Sequence, residues 1–532
     1  MKPRIPLLAT GLFLLVSTTA QVKVKSVFSP VIFSEKSMGA IGLLPGHAGS
    51  LVVVGATTEP RLNKNEWAKG RLEVFDRAKL GPLRMFEPTM KPYATQVPEQ
   101  VLRLGGRNVL VASNTSQKEQ AVTLMWANLE PTLTKPNYPL DELVRFEWKN
   151  MNVRGNDSLS YGPWTGQRLG LQAVYAHDSA RVLLHTPELR IDENRSFRVF
   201  LCLDRDMKLL WHEIVRSEGS ARAKMLDVAL DANGRAVLIS TRDKGGKPVP
   251  RKDGKGSDAT VETTLMMIDT SGVSSIPWEL FNDFYPLSAR LLALPDGRMV
   301  YGAIRGGIDA KGGQVVTGAT LAFLPAGATK LEEVQHIALP KEDKPRNYAH
   351  MDLSMVRMPD GFALVGEAMT VKTSVSNLIT SAQKQQRVIN TYYREDVLVM
   401  RTDASGKLQW QTLIPRSVVT PTLDRGALVV APYKDKLMLF VPDDEANIEL
   451  RKKSTEPPAQ VELKKCVTQL VTFDGEGKPR FRAVLMGAEG PAMFAPVNWW
   501  WSNSDLAFAL VAPSPTSDRF MPVRLEFAPD SK

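Results

Sequence analysis

Cysteine is almost missing from this chain: 532 residues carry only Cys202 and Cys466. That excludes a disulfide framework, a Cys-x-x-Cys-His haem attachment and a thiolate zinc site. Histidine is also sparse, with His47, His177, His185, His212, His336 and His350 scattered and never at His-x-x-x-His or His-Glu-x-x-His spacing. Zinc chemistry therefore has no local signature. No Gly-x-Ser-x-Gly elbow, phosphate-cradling glycine loop or calcium-loop run of acids is present. No catalytic residue, cofactor or metal is expected from local motifs.

Long apolar runs are lacking too. The N-terminal one, Leu7 to Val16, is too short to anchor in a bilayer. Lys2 and Arg4 precede it and Ser17-Thr-Thr-Ala20 follows, the pattern of a secretory signal cleaved before Gln21. Residues 1–20 are thus expected to be a signal peptide, with no transmembrane segment after its removal. No Cys follows the apolar run, so a lipoprotein anchor is not expected. The expected location is exported, periplasmic or extracellular, with a bacterial source.

The formal charge is +10, or +8 without Lys2 and Arg4. Basic residues gather at Asp243 to Asp258 and Arg451 to Lys465, without interleaved stacking aromatics. Nucleic-acid binding is therefore not expected, while a weak attraction to anionic surfaces is.

What is present is a repeat. Its first half is an apolar run, a tight turn and a second apolar run, as in Leu291-Leu-Ala-Leu-Pro-Asp-Gly-Arg-Met-Val-Tyr-Gly302. Its second half is an apolar run, an Asp, a turn and an aromatic, as in Val397-Leu-Val-Met-Arg-Thr-Asp-Ala-Ser-Gly-Lys-Leu-Gln-Trp410. The first half recurs from near 41, 101, 171, 228, 291, 355, 427 and 493. The second follows seven of these, and Asp204 to Trp211, Asp403 to Trp410 and Asp474 to Phe481 keep one interval.

Two hairpins per repeat make a four-stranded blade, so residues 21–532 are expected to form one all-β domain, a β-propeller. The eighth repeat ends after a third strand, Met521 to Phe527, and the N-terminal segment 22–34 is available to complete it. Eight blades closed by the N-terminal strand are expected. Seven is the count if Met493 to Phe527 only decorates the surface. Cys202 and Cys466 then fall on opposite sides of the ring, as free thiols buried in strands.

The Asp-x-x-Gly-x-x-x-Trp turn of Asp403 to Trp410 resembles the tryptophan-docking repeat of bacterial quinoprotein-type propellers. The resemblance implies structural roles: the aromatic packs between blades and the Asp ties the turn. Met207 stands where the pattern has Gly, and Phe481 where it has Trp.

Ligand-binding candidates lie where the repeat is interrupted. Pro131 to Trp164 carries Tyr138, Phe146, Trp148, Tyr161 and Trp164, a set expected to pack on the ring or form a binding rim. Thr370 to Glu395 is polar and Gln-rich, expected as a mobile loop. In Trp499-Trp-Trp501 the outer two rings share one side of a strand. They either fill the gap at the closing blade or stack a glycan or apolar group. The leading expectation is a non-catalytic scaffold that binds a protein or glycan partner. The competing one is a hydrolase or lyase whose acid and base come from different blades around the central funnel. Acidic and His side chains at the funnel mouth favour the enzyme, and an apolar or plugged funnel favours the binder.

Overall fold

A computed structural model describes residues 22–29, 38–46, 49–57, 70–86, 96–116, 121–129, 140–147, 170–190, 195–218, 223–243, 249–250, 257–258, 261–277, 285–308, 314–339, 350–380, 383–421, 426–453, 460–487, 490–503, 505–512, 514, 517 and 519–529. They form eight four-stranded antiparallel blades arranged in a ring, an eight-bladed β-propeller. In blades one to seven the strands run from inner to outer in chain order, and the inner strands of successive blades face one another around the centre. Blade three is Gln172–Tyr175, Arg181–His185, Arg195–Asp204 and Leu209–Glu218. Blade four is Ala223–Leu230, Ala236–Asp243, Val261–Asp269 and Gly272–Pro277. Among the described residues no helix is long and apolar enough to cross a membrane.

The ring closes as the sequence suggests. Val22–Phe28 pairs with Met521–Pro529 from Val22 opposite Pro529 to Phe28 opposite Val523, becoming the outermost strand of blade eight. The sheet order there is N-terminal strand, last strand, Leu506–Ala512, Met493–Asn503. Residues 30–34 of the expected closing segment lie outside the described residues, as do residues 1–20.

Tight turns form where turn residues were read. Leu104 pairs with Arg107 across Gly105 and Gly106, both at positive φ (56° and 81°), as a two-residue mirror-type turn requires. In the Asp turns one carboxylate oxygen ties the following amides. Asp204 Oδ1 accepts from Asp206 and Lys208 N–H, Asp403 Oδ1 from Ser405 and Lys407, and Asp474 Oδ1 from Glu476 and Lys478. Met207, in the glycine position, still adopts φ 66° and buries its side chain among blade-two and blade-three residues.

The aromatics pack between blades. Trp211 of blade three donates its indole N–H to the Gly234 carbonyl of blade four at 2.8 Å. Trp410 of blade six stacks on Phe473 of blade seven, ring centres 5.3 Å apart. Eight apolar clusters lie at the interfaces between successive blades, from blades one and two to blades eight and one. Cys202 and Cys466 are free and buried, and burial pushes both thiols up to about 12.

One expectation is corrected. Thr370 to Glu395 is not a loop: Gly361–Thr380 and Gln383–Asp403 run as two long strands paired from end to end, Thr380 opposite Gln383. The segment alternates β-branched and polar residues (Val371, Thr373, Val375; Ile389, Thr391), a pattern that suits a pleated ribbon. Near the base, Val418–Thr420 pairs with Tyr392 to Arg394 and secures one edge.

Candidate functional site

Because the strands are antiparallel, the turns between first and second strands share one end of the ring, and the inter-blade connections share the other. The second group defines a loop face. A cavity of about 410 Å3 lies between blades three and four, reaching the inner strand of blade five. Its lining includes His185, Glu188, Arg198, Asp227 and Arg290. His185 ends the second strand of blade three and Gln172 opens its first, so this cavity lies toward the loop face.

Local irregularity places Asp227. The first strand of blade four carries a bulge between Met225 and Asp227, and similar bulges occur in blades two and five. A bulge re-aims side chains, and here each turns a polar group onto the next blade. Glu99 Oε2 accepts the Gly170 N–H at 3.0 Å, Asp227 Oδ2 the Leu291 N–H at 2.7 Å, and Ser288 Oγ the Leu353 N–H at 3.0 Å. Burial nonetheless pushes the Asp227 carboxyl up from its ordinary value of 3.8, against the Arg290 charge and the Leu291 and Val228 amides.

His185 is buried, 1% exposed, with its ring stacked near Phe200. Its Nδ1 sits 3.2 Å from the Thr186 carbonyl, which assigns the proton to Nδ1 and leaves Nε2 as an acceptor. Burial lowers its basicity and the Arg198 charge lowers it further, outweighing the Thr186 carbonyl. Glu188 accepts from Ser196 Oγ at 2.5 Å. Arg290 Nη1 donates to the Ala289 carbonyl at 3.0 Å and the Leu226 carbonyl at 3.5 Å, which fixes its guanidinium between inner strands.

The polar surface continues onto blade six. His350 Nε2 and Asp352 Oδ1 are 2.9 Å apart. Burial disfavours the Asp352 charge, but the His350 hydrogen bond and the Arg290 and Arg394 charges hold the carboxyl below its ordinary value. The inner strands of blades four, five and six thus carry Asp227, Arg290 and Asp352, with the Arg290 charge acting on both carboxyls. A second cavity, about 540 Å3, opens on the turn face beside Trp211 and Asp231. There Arg235 already pairs with Asp231 at 3.2 Å and Arg181 donates to the Ala232 carbonyl, so its cations serve the turn.

The described lining of the blade-three cavity includes none of the residues singled out from sequence. Trp148 and Trp164 lie outside the described residues. For Trp499, Trp500 and Trp501 the backbone is described, pairing with Ala509, Phe508 and Ala507 in blade eight. Sequence reasoning missed His185, Arg198, Asp227 and Arg290. His185 had appeared only as one of six scattered histidines. The one available signal was a polar residue interrupting the alternation of an inner strand, as Asp227 does in Lys-Met-Leu-Asp-Val-Ala-Leu230.

No protein-family model matches the chain, and no curated protein matches it. Among solved structures it is similar to an α-L-arabinanase of Penicillium chrysogenum, at 12% identity over 65% of this chain and 94% of that one, TM-score 0.31. It is also similar to a sialidase of Trypanosoma rangeli (8% identity, 67% of this chain, 54% of that one, TM-score 0.29). A third is prolyl oligopeptidase B of Galerina marginata, at 8% identity over 90% of this chain and 56% of that one, TM-score 0.37. The match spans only about half of the last two. Likenesses this low carry no functional argument, so function is argued from the chain's own residues.

Proposed function

We propose that the chain is a propeller hydrolase or lyase whose site is the cavity between blades three and four. The observation that carries this is the pairing, in one cavity, of a carboxyl held above its ordinary value with a histidine held neutral, from adjacent blades. Titratable groups whose surroundings push them apart from their usual values are suited to acid and base roles. Asp227 is assigned as the acid and His185, through Nε2, as the base. Purified protein is assayed against aryl glycosides and aryl esters, neutral and carboxylate-bearing. Turnover is expected, with Asp227→Asn and His185→Gln each lowering kcat by roughly 10²–10⁴-fold. Turnover unchanged in both variants rejects the assignment.

One observation favours the alternative of a non-catalytic scaffold for a protein or glycan partner. Asp227 makes the same inter-blade tie as Glu99 and Ser288, so a structural duty alone can account for it. A folded chain that turns over no member of the panel supports that reading. Export to a periplasmic or extracellular location is proposed from the N-terminal pattern, and detection of the mature chain beginning at Gln21 in secreted fractions tests it.

A further inference from the structure

Two guanidiniums line the blade-three cavity, and among the described residues neither lies within ion-pair distance of a carboxylate. Arg198 is partly buried on the third strand of blade three, where desolvation disfavours its charge. The Glu188 charge offsets part of that cost, and its carboxylate also accepts from Ser196 Oγ. Arg290 comes from the first strand of blade five, oriented by two backbone carbonyls. Glu188 and Asp227 act on these two cations only from beyond ion-pair distance, so among the described residues no carboxylate closes either fork, and a ligand carboxylate could do so. A guanidinium presents a planar fork that matches a carboxylate. In blade six, by contrast, the buried Arg416 and Arg394 each lie directly against the Glu367 carboxylate.

We propose that this cavity binds a carboxylate-bearing ligand, held between Arg198 and Arg290. Resting on the hydrolase or lyase reading, this names the substrate class: a molecule with a single carboxylate near the bond acted on. Glu188 offsets one of the two arginine charges, and Asp227, assigned as the acid, holds its proton, so one positive charge is left over and a monoanion suits the site better than a dianion. Arg198 and Arg290 would fix the carboxylate, from blades three and five, with Asp227 lying between them on blade four.

D-glucuronate and D-glucose, which differ in the carboxylate, are titrated at fixed ionic strength against the full chain, with melting temperature and calorimetry as readouts. Saturable stabilisation by glucuronate and none by glucose is expected. Arg198→Gln and Arg290→Gln should each weaken glucuronate at least tenfold. Arg198→Lys keeps the charge without the fork and should fall between. Circular dichroism confirms that each variant is folded, and should one glutamine variant unfold, the lysine variant and the other position carry the test. Equal responses to the two sugars, no response to glucuronate, or undiminished affinity in the folded arginine variants overturns the proposal. Asp227→Asn can still accept the Leu291 N–H, so it should retain glucuronate binding. Binding kept with turnover unaffected by that variant rejects the catalytic reading alone; turnover that depends on Asp227 without glucuronate binding rejects the carboxylate proposal alone.

Discussion

The indole N–H of Trp211 reaches out of blade three to the carbonyl of Gly234 in blade four, at 2.8 Å. Trp211 is 8% exposed, so ring and hydrogen bond both serve the interface between blades. Trp211→Phe keeps a ring and strands the Gly234 carbonyl, and should cost about 1 kcal/mol. Trp211→Ala should cost about 3–5 kcal/mol. At blades six and seven the ring packing alone recurs, and an added Cβ on Gly477 would stand 2.5 Å from the Trp410 ring, at a φ of 82°. Gly477→Ala should therefore destabilise, whereas Gly475→Ala, with open space around it, should not. Denaturant titration measures all four; equal costs for Trp211→Phe and Trp211→Ala would show that packing adds nothing.

Ring closure gives a second prediction. Residues 22–28 cover one edge of the last strand, whose Val523, Leu525 and Phe527 are buried with Val22 in the cluster between blades seven and eight. Deleting residues 22–28 exposes that edge and part of that cluster, so a lower melting temperature and aggregation are expected. A melt unchanged by the deletion would contradict closure by this strand.

A buried ion cluster at the base of the long hairpin gives a third. Glu367 pairs with Arg394 and with Arg416, whose side chain is 0% exposed and whose Nη2 also donates to the Gly426 carbonyl at 2.5 Å. Glu367→Gln removes the carboxylate that both guanidiniums share and should destabilise by about 3–5 kcal/mol. The loss should persist at high salt, because burial shields the cluster from screening. A loss that vanishes in salt would place these charges in solvent.

The blades were legible because their signals are local. Alternating apolar runs flank Pro295-Asp-Gly297 or Gly105-Gly106, and each hairpin announces itself within some dozen residues. The long hairpin was harder: its alternation from Val371 to Val375 gives way to the polar run Ser381-Ala-Gln-Lys-Gln-Gln386, and composition alone reads that as a loop. The cavity was not legible at all. His185, Arg198, Asp227 and Arg290 come from blades three, four and five, and no short window of sequence holds their relationship. Asp227 reaches its place through a bulge, and a bulge has no fixed residue signature when neither glycine nor proline makes it.

Acid titration separates the two groups assigned to acid and base roles, because their shifts run in opposite directions. His185 is held below its ordinary value of 6.5, so the folded chain resists a proton that the unfolded chain accepts. Stability is then lost as pH falls below about 6.5, until the folded-state value is passed. Asp227 is held above 3.8, so the folded chain keeps its proton where the unfolded chain has released it. Its effect is a gain in stability as pH falls through the folded-state value towards 3.8. His185→Gln should therefore flatten the loss just below pH 6.5, and Asp227→Asn should remove the compensating gain at lower pH. Denaturant midpoints from pH 7.5 down to pH 4, wild type against each variant, measure both slopes. Parallel profiles for wild type and His185→Gln would show that His185 titrates as an ordinary exposed imidazole, and would remove it as the base.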